Sequence, residues 1–265
     1  MSDIITDSVK TDRFTMDYCR FGRGKRYLVI LPGVSMKPVT PQGAAVAAQY
    51  AAFTDRYTVF LFDRIREISD GYSVRDMARD TAEAMRLLGI RDADLFGASQ
   101  GGMMAIVIAA EHPELVRRMV LGSTLARQNA VSRSTFDRWC DLAAGSDVCA
   151  LNRAINDAVY SPAYRERFRD AFAAMEQVGT PEEMHRFGIL AEACRGFDGY
   201  ADLSRITCPV SVIGSREDHV LTGEASEEIA AALGCDCYLY DGYSHTVYDE
   251  APDYSDRLLR FFTQD

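Results

Sequence analysis

The sequence predicts an α/β fold with a mostly parallel, eight-stranded central sheet flanked by helices and a helical cap inserted after the sixth strand. Two observations support this prediction. Short apolar runs alternate with helix-like stretches along most of the chain, which is typical of a parallel sheet covered by helices on both faces. Between about residues 125 and 205 this alternation stops. We therefore predict a core of residues 1–124 and 206–265 and a helical cap of residues 125–205.

Each element of the core follows from a local pattern. Loose alternation of apolar residues up to about Gly24 predicts one or two antiparallel strands. Continuous apolar runs predict buried strands, and apolar residues at helical spacing predict helices. The buried strands are expected at residues 27–31, 57–62, 94–98, 118–123, 208–214 and 237–240. The helices are expected at residues 44–53, 74–88, 100–112 and 224–233 and after Pro252.

The inserted segment has no convincing strand, and its prolines and glycines divide it into short helices. We expect these helices at residues 134–144, 147–159, 162–177 and 181–193. The large apolar side chains of the segment either line a pocket or pack its helices together, and we expect most of them to do the latter. These side chains are Trp139, Tyr160, Phe168, Phe172, Met175, Met184 and Phe187.

Composition excludes several classes of function. The 265-residue chain has a net charge of −10, which argues against nucleic acid and anionic membranes as partners, because both attract basic surfaces. Its seven cysteines show no disulfide or zinc spacing, so we expect reduced thiols, no metal and no cofactor. The chain begins without a secretory signal and has no apolar run long enough for a membrane helix. We expect a cytoplasmic protein that binds a small-molecule substrate, with its oligomeric state left open.

The motif Gly97-Ala98-Ser99-Gln100-Gly101 lies between a predicted buried strand and an apolar helix. Glycines at its ends allow a sharp turn that lifts the Ser99 hydroxyl above the edge of the sheet. Right-handed crossovers bring the ends of the parallel strands to this same edge, where open α/β sheets bind ligands. Because the motif is short enough to occur by chance, its meaning depends on whether a base and an acid reach the same edge.

Only four histidines are available as the base that a serine nucleophile needs. His112 lies at the far end of the helix that begins after Ser99, and His185 lies in the inserted segment. His219 lies in a loop after a strand, next to an acidic pair. His245 lies in the loop directly after the last strand, at the predicted site, and is the base that we expect.

The orienting acid has more than one candidate. Asp218 lies in the loop that follows the strand ending at Gly214, at the same edge as Ser99. Glu217 is its adjacent competitor, and Asp63 is a weaker alternative after an earlier strand. Two further acidic residues follow His245 too closely to reach behind its ring without a special turn, namely Asp249 and Glu250.

The chain resembles the α/β-hydrolase superfamily in its capped form over nearly its whole length. The similarity rests on seven short motifs in the expected order: Leu31-Pro32-Gly33-Val34, Gly97-x-Ser99-x-Gly101-Gly102, His112-Pro113-Glu114, Cys208-Pro209-Val210, Gly214-x-x-x-Asp218, Gly242-x-x-His245 and Glu250-Ala251-Pro252. The order serine, acid, histidine is the one found in this superfamily. Together these motifs are specific for the fold and the triad, and they say little about the substrate.

The resemblance implies a role for each candidate. Ser99 corresponds to the nucleophile, His245 to the general base and acid, and Asp218 to the orienting carboxylate. The backbone N–H groups of Val34 and Gln100 correspond to the oxyanion hole. The chain departs from many relatives in two loops. It has Pro32-Gly33 where they have His-Gly, and residues 63–69 are charged where they have small glycines, which either narrows or polarises the pocket or forms a solvated loop.

We therefore expect a serine hydrolase that cleaves a small ester or related acyl compound through an acyl-enzyme on Ser99. The same triad also serves carbon–carbon hydrolases, thioesterases and acyltransferases, and the scaffold alone is compatible with a ligand-binding sensor. The sequence does not identify the acyl chain, the leaving group or the pathway. Substrate specificity is expected to lie largely in the inserted segment.

Overall fold

In the computed structural model, which describes residues 3–264, eight strands form a single sheet. They are β1 (Ile5–Lys10), β2 (Thr15–Gly22), β3 (Arg26–Leu31), β4 (Tyr57–Ile65), β5 (Ala93–Ala98), β6 (Val116–Gly122), β7 (Val210–Ser215) and β8 (Asp236–Tyr240). Their order is β1-β2-β4-β3-β5-β6-β7-β8. β2 runs antiparallel to both of its neighbours and all other neighbouring pairs are parallel, so the predicted mostly parallel eight-stranded sheet is confirmed.

Most helices that flank this sheet begin and end close to where the sequence predicts, and the short helix at residues 247–250 is not predicted. They are α1 (Gly43–Gln49), α2 (Val74–Leu87), α3 (Gln100–Glu111), α9 (Gly223–Leu233), α10 (Val247–Glu250) and α11 (Tyr254–Phe262). The five helices of the inserted segment lie between α3 and α9 in the chain and are described below. Ser73 caps α2 by accepting from the backbone N–H of Asp76, and the Asp76 carboxylate accepts in return from the backbone N–H of Ser73. Gly89 follows the helix with a φ of +71°, a conformation that favours glycine.

The first predicted helix is shorter than expected. It ends at Gln49, and residues Ala51–Phe53 form a separate 3-10 turn. The Thr54 hydroxyl donates to the carbonyl of Ala51 at 2.8 Å, a short-range bond that favours the tighter turn over continued α-helix.

Five helices lie between β6 and β7 and form the inserted segment: α4 (Ala130–Ala144), α5 (Val148–Val159), α6 (Pro162–Arg167), α7 (Arg169–Glu176) and α8 (Pro181–Arg195). Pro162 and Pro181 occupy first-turn positions, as the sequence predicts. The single helix expected over 162–177 is wrong, because the backbone breaks at Phe168 into α6 and α7. The division of the chain into a core domain and a cap domain stays a prediction.

The hydrophobic core lies on both faces of the sheet. Along β3, Val29 and Leu31 face one cluster of buried side chains, and Leu28 and Ile30 face the other. Every residue of α3 from Gln100 to Ala110 is buried, so this helix is covered on all sides. The start of α3 is therefore held rigidly against the middle of the sheet.

Strand β4 extends further than the sequence indicates. It continues to Ile65, which pairs with Met16 of β2, where the sequence predicts an end at Asp63-Arg64. Asp63 and Arg64 are consequently buried, and a solvated loop is the wrong interpretation for them. All seven cysteines are unpaired in the structure, and their reduced state stays a prediction. Within the described part of the chain, no helix combines the length and apolar character needed to cross a membrane.

Candidate active site

Ser99 lies on a sharp turn between β5 and α3. Its φ of +52° and ψ of −118° place a residue with a side chain in a conformation that costs free energy. The flanking glycines make this turn possible. A Cβ on Gly101 would lie 2.0 Å from the carbonyl oxygen of Leu31, and one on Gly97 would lie 2.4 Å from the carbonyl oxygen of Gly101. The predicted strand–turn–helix at Ser99 is thus present.

The backbone of Ser99 is anchored to the end of the neighbouring strand β6. Its N–H donates to the carbonyl of Gly122 at 2.9 Å, and its carbonyl accepts from the Thr124 hydroxyl at 2.7 Å. The same carbonyl accepts from the N–H of Gly102 at 2.8 Å. These bonds offset the strain and fix the direction in which the serine side chain leaves the turn.

His245 and Asp218 form a buried pair. The Nδ1 of His245 lies 2.8 Å from Oδ2 of Asp218, and both side chains are almost completely buried. Since a carboxylate accepts, this contact places the proton of the neutral ring on Nδ1 and leaves Nε2 as the acceptor. The loop after β7 therefore places the Asp218 carboxylate against the Nδ1 side of the His245 ring, which comes from the loop after β8.

The other oxygen of Asp218 is held by the backbone of its own loop. Oδ1 accepts from the N–H groups of Val220 at 2.8 Å and Leu221 at 2.9 Å. Burial by itself raises the pKa of Asp218, but the facing His245 ring and these two N–H groups lower it below its usual value. The carboxylate thus remains ionised and cannot rotate away from the imidazole.

The competing acids are engaged elsewhere. Glu217 is exposed, and its carboxylate accepts from the backbone N–H of Gly242 at 2.9 Å. The Asp63 carboxylate accepts from the backbone N–H groups of Val39 and Thr40 at 2.8 and 3.3 Å, so it braces the loop after β3.

The other three histidines lie in different surroundings. His112 Nδ1 contacts Nη2 of Arg86 at 2.8 Å at the far end of α3. His185 lies on the exposed surface, 3.7 Å from a carboxylate oxygen of Asp70. His219 is exposed in the loop after β7. Among the described histidines, His245 is the one with a buried carboxylate partner.

A cavity of about 290 Å³ lies above the edge of the sheet and is lined by both Ser99 and His245. Trp139 and Tyr160 of the inserted segment also line it. Of the other apolar residues expected there, Met184 and Phe187 are buried among the helices, and Phe168 and Met175 are exposed. Phe172 packs against Tyr160 with ring centroids 4.9 Å apart. The inserted segment thus supplies part of the cavity wall, and most of its large side chains lie elsewhere.

The two predicted oxyanion residues come from two different segments of the chain. Val34 lines the cavity in the loop after β3, and Gln100 is the first residue of α3. In residues 3–264 the Val34 N–H donates to no protein acceptor. An N–H at the start of a helix likewise has no partner within that helix, so both groups suit an anion.

Sequence reasoning did not find the contacts of Arg64, which is 5% exposed. Its Nη2 donates to the carbonyl of Pro32 at 2.8 Å and to Oε1 of Gln100 at 2.9 Å. The Gln100 amide donates in turn to the carbonyl of Leu190 in α8 at 2.8 Å. The only sequence signal is the charged dipeptide Asp63-Arg64 after a continuous apolar run, a pattern that is more typical of a loop.

Comparison with known proteins agrees with this geometry. Residues 32–252 match the profile of a family described as alpha/beta hydrolase fold. A protein of Rhizobium rhizogenes named "Putative carbamate hydrolase RutD" is 27% identical over 199 residues, covering 74% of this chain and 76% of its own. The pyrrolizixenacetamide deacetylase of Xenorhabdus hominickii is 26% identical over 264 residues, covering 97% of each chain.

The fold also matches solved structures. The enol-lactonase from Burkholderia xenovorans superposes with a TM-score of 0.85 at 20% sequence identity, covering 97% of this chain and all of its own. Among the described residues, no group of three or more His, Cys, Asp or Glu side chains is arranged to hold a metal ion. The chain belongs to the alpha/beta hydrolase fold family and is a hydrolase.

Proposed function

We propose that the chain is a serine hydrolase that cleaves a small ester or related acyl substrate through an acyl-enzyme on Ser99. The main support is the 2.8 Å contact between His245 and Asp218, buried beside a cavity that Ser99 also lines. A serine on a strained turn, a histidine with a free Nε2 and a fixed carboxylate are the parts that acyl transfer requires.

The reaction follows from the roles of these groups. Nε2 of His245 takes the proton as Ser99 Oγ attacks the carbonyl carbon, and Asp218 stabilises the imidazolium that forms. The negative oxygen of the tetrahedral intermediate accepts from the N–H groups of Val34 and Gln100. His245 then gives its proton to the leaving group. In the second half, His245 removes a proton from water, which attacks the acyl-enzyme and releases the acid and free Ser99.

The names of the relatives support an acyl bond as the one that is cleaved. They refer to a carbamate, an acetamide and an enol-lactone, all of which contain a carbonyl attached to nitrogen or oxygen. One nucleophile and one oxyanion hole serve each of these bonds, and the cavity of about 290 Å³ admits only a small substrate.

A fluorophosphonate probe tests the proposal, because it reacts with a serine that a general base activates. We expect labelling at Ser99 and hydrolysis of a short-chain nitrophenyl ester, both lost in Ser99→Ala, with a rate decrease of about 10⁶. Ser35 also lines the cavity, and its hydroxyl donates to the carbonyl of Lys37 at 2.7 Å. Ser35→Ala is therefore the matched control. Unchanged labelling or hydrolysis in Ser99→Ala would overturn the assignment.

A further inference from the structure

The active-site cavity contains a charged group that the proposed mechanism does not use. Of the described residues that line the cavity, Asp249 is the only carboxylate, and none is a lysine or arginine. Asp249 lies in α10, four residues after His245, and its backbone N–H donates to the carbonyl of Thr246 at 2.8 Å. A single carboxylate therefore sets the charge of the cavity wall.

The carboxylate is surrounded by protein and open to the cavity at the same time. The residue retains a large accessible surface, and it is one of the residues that line the cavity. Burial raises the pKa of Asp249 to about 6, and the Gln49 amide and His245 act in the opposite direction. Within the described chain, no lysine, arginine or histidine forms an ion pair with it. The protein therefore leaves this charge without an ion-pair partner, and a cation bound in the cavity can pair with it.

The ionisable groups around Asp249 supply no compensating positive charge apart from a protonated His245. Glu250, on the same helix, raises its pKa further. Burial raises the pKa of each neighbouring phenol, and the charge of Asp249 raises it further: Tyr50, Tyr160, Tyr164, Tyr248 and Tyr254. At neutral pH the phenols are uncharged, and Asp249 gives this side of the cavity a negative potential.

Aromatic side chains line the same cavity as this negative group. Those that line the cavity are Tyr50, Phe96, Trp139, Tyr160 and Tyr248. Tyr248 lies close to the proposed catalytic base, with ring centroids of Tyr248 and His245 6.4 Å apart. The face of an aromatic ring attracts a cation, most strongly where water is excluded, and a carboxylate beside such faces adds direct charge complementarity. The same arrangement disfavours a substrate group that is anionic.

We propose that the preferred acyl substrate of this hydrolase bears an ammonium group, which Asp249 and the surrounding aromatic rings bind inside the cavity. This inference rests on the proposed serine hydrolase activity and adds the class of substrate to it. The ammonium group is bound in the ground state and the transition state alike, so its loss raises KM more than it lowers kcat.

Matched pairs of esters test this inference. In one pair the alcohol is choline or its uncharged isostere 3,3-dimethylbutanol, with the same short acyl group. In the other pair the acyl chain ends in a primary ammonium or in a methyl group, with the same alcohol. We expect the wild-type protein to prefer the charged member of at least one pair by tenfold or more in kcat/KM.

Asp249→Asn is the decisive variant, because it removes the charge and keeps the size of the side chain. We expect it to reduce that preference at least tenfold, mainly through KM. Asp12→Asn removes the same charge from an exposed position away from the cavity and should leave the preference unchanged. A charged-to-neutral ratio of kcat/KM near one for both pairs in the wild-type protein would overturn the inference. An unchanged ratio in Asp249→Asn would overturn it as well.

Binding separates this inference from the proposed chemistry. Calorimetry on Ser99→Ala, with and without Asp249→Asn, measures the Kd of the charged ester and of its isostere without turnover. If neither ester is hydrolysed but the charged one binds tenfold more tightly in an Asp249-dependent manner, the recognition stands and the proposed reaction falls. If both esters are hydrolysed through Ser99 with similar kcat/KM and Asp249→Asn changes neither value, the reaction stands and the recognition falls.

Discussion

The guanidinium of Arg64 contacts the side-chain oxygen of Gln100 through two nitrogens, Nη2 at 2.9 Å and Nε at 3.2 Å. The same Nη2 donates to the carbonyl of Pro32. Arg64 thus joins the loop that leads to Val34 with the first residue of α3, which are the two proposed halves of the oxyanion hole. In many relatives a histidine precedes the glycine of this loop and braces it; here the chain has Pro32 at that position and a buried arginine beneath it.

Arg64→Met tests whether this contact positions the oxyanion donors. The variant leaves two buried acceptors, on Pro32 and Gln100, without their donor, so we expect a tenfold to hundredfold lower kcat with little change in KM. Arg64→Lys keeps the charge but not the fork of donors and should recover only part of the loss. Steady-state kinetics on a nitrophenyl ester measures both effects.

Arg66→Met is the control for Arg64. Arg66 follows the same strand, but its side chain is exposed and pairs with Asp17 at 2.8 Å. We expect kcat to stay at the wild-type value in this variant. An equal loss in both variants would mean that the end of β4 acts only through general stability.

Asp218→Asn tests the orientation of the histidine. The backbone N–H groups of Val220 and Leu221 hold Oδ1, so the amide nitrogen of the new side chain has to face Nδ1 of His245. That contact moves the ring proton to Nε2 and removes the base, so we expect kcat to fall by about 10⁴ with the fold intact. Steady-state kinetics measures the fall in kcat, and circular dichroism checks that the fold is intact. Glu217→Gln, which changes the adjacent acid, should retain activity.

Gly101→Ala tests the packing of the turn. The new Cβ would lie 2.0 Å from the carbonyl oxygen of Leu31, which belongs to the central strand and cannot move aside. We expect the free energy of unfolding to fall by about 3 kcal/mol or more, measured by urea denaturation. Gly196→Ala provides the comparison, since its Cβ would lie 3.6 Å from its nearest contact, and it should be close to neutral.

Asp249→Asn should also make the protein more stable at high pH. Burial raises the pKa of Asp249 from its ordinary 3.8 to about 6. Between these values the folded protein binds a proton that the unfolded chain does not, so stability falls as the pH rises through this window. Above about pH 6 the folded protein carries the full loss of stability that comes from ionising Asp249. Asparagine has no charge and removes this loss.

We expect a gain of about 1 kcal/mol at pH 8, a value reduced for the water that reaches the side chain, and almost none at pH 4. Urea unfolding at the two pH values measures the difference, with Asp12→Asn as the variant that should show none. A gain that is equal at both pH values would contradict the assigned cause. Such a penalty is expected of a group that is kept for binding rather than for stability.

The fold could be predicted because its signals are local. Continuous apolar runs mark the strands, Ser73 and Gly89 mark the ends of α2, and glycines on both sides of Ser99 mark a turn that other residues cannot make. The order of the motifs then placed Asp218 and His245 at one edge of the sheet. These features depend on the period of each element and on the handedness of the crossovers, both of which the sequence determines.

Other features were decided only by the tertiary structure. The burial of Arg64 depends on the pairing of β4 with β2 and on the position of α8, and no local pattern encodes either contact. Asp249 follows His245 closely in the sequence, but its place in the cavity wall depends on Tyr50, Trp139 and Tyr160 from distant parts of the chain. Sequence periodicity thus determined the strands and the site they share, whereas long-range packing decided which buried charges surround that site.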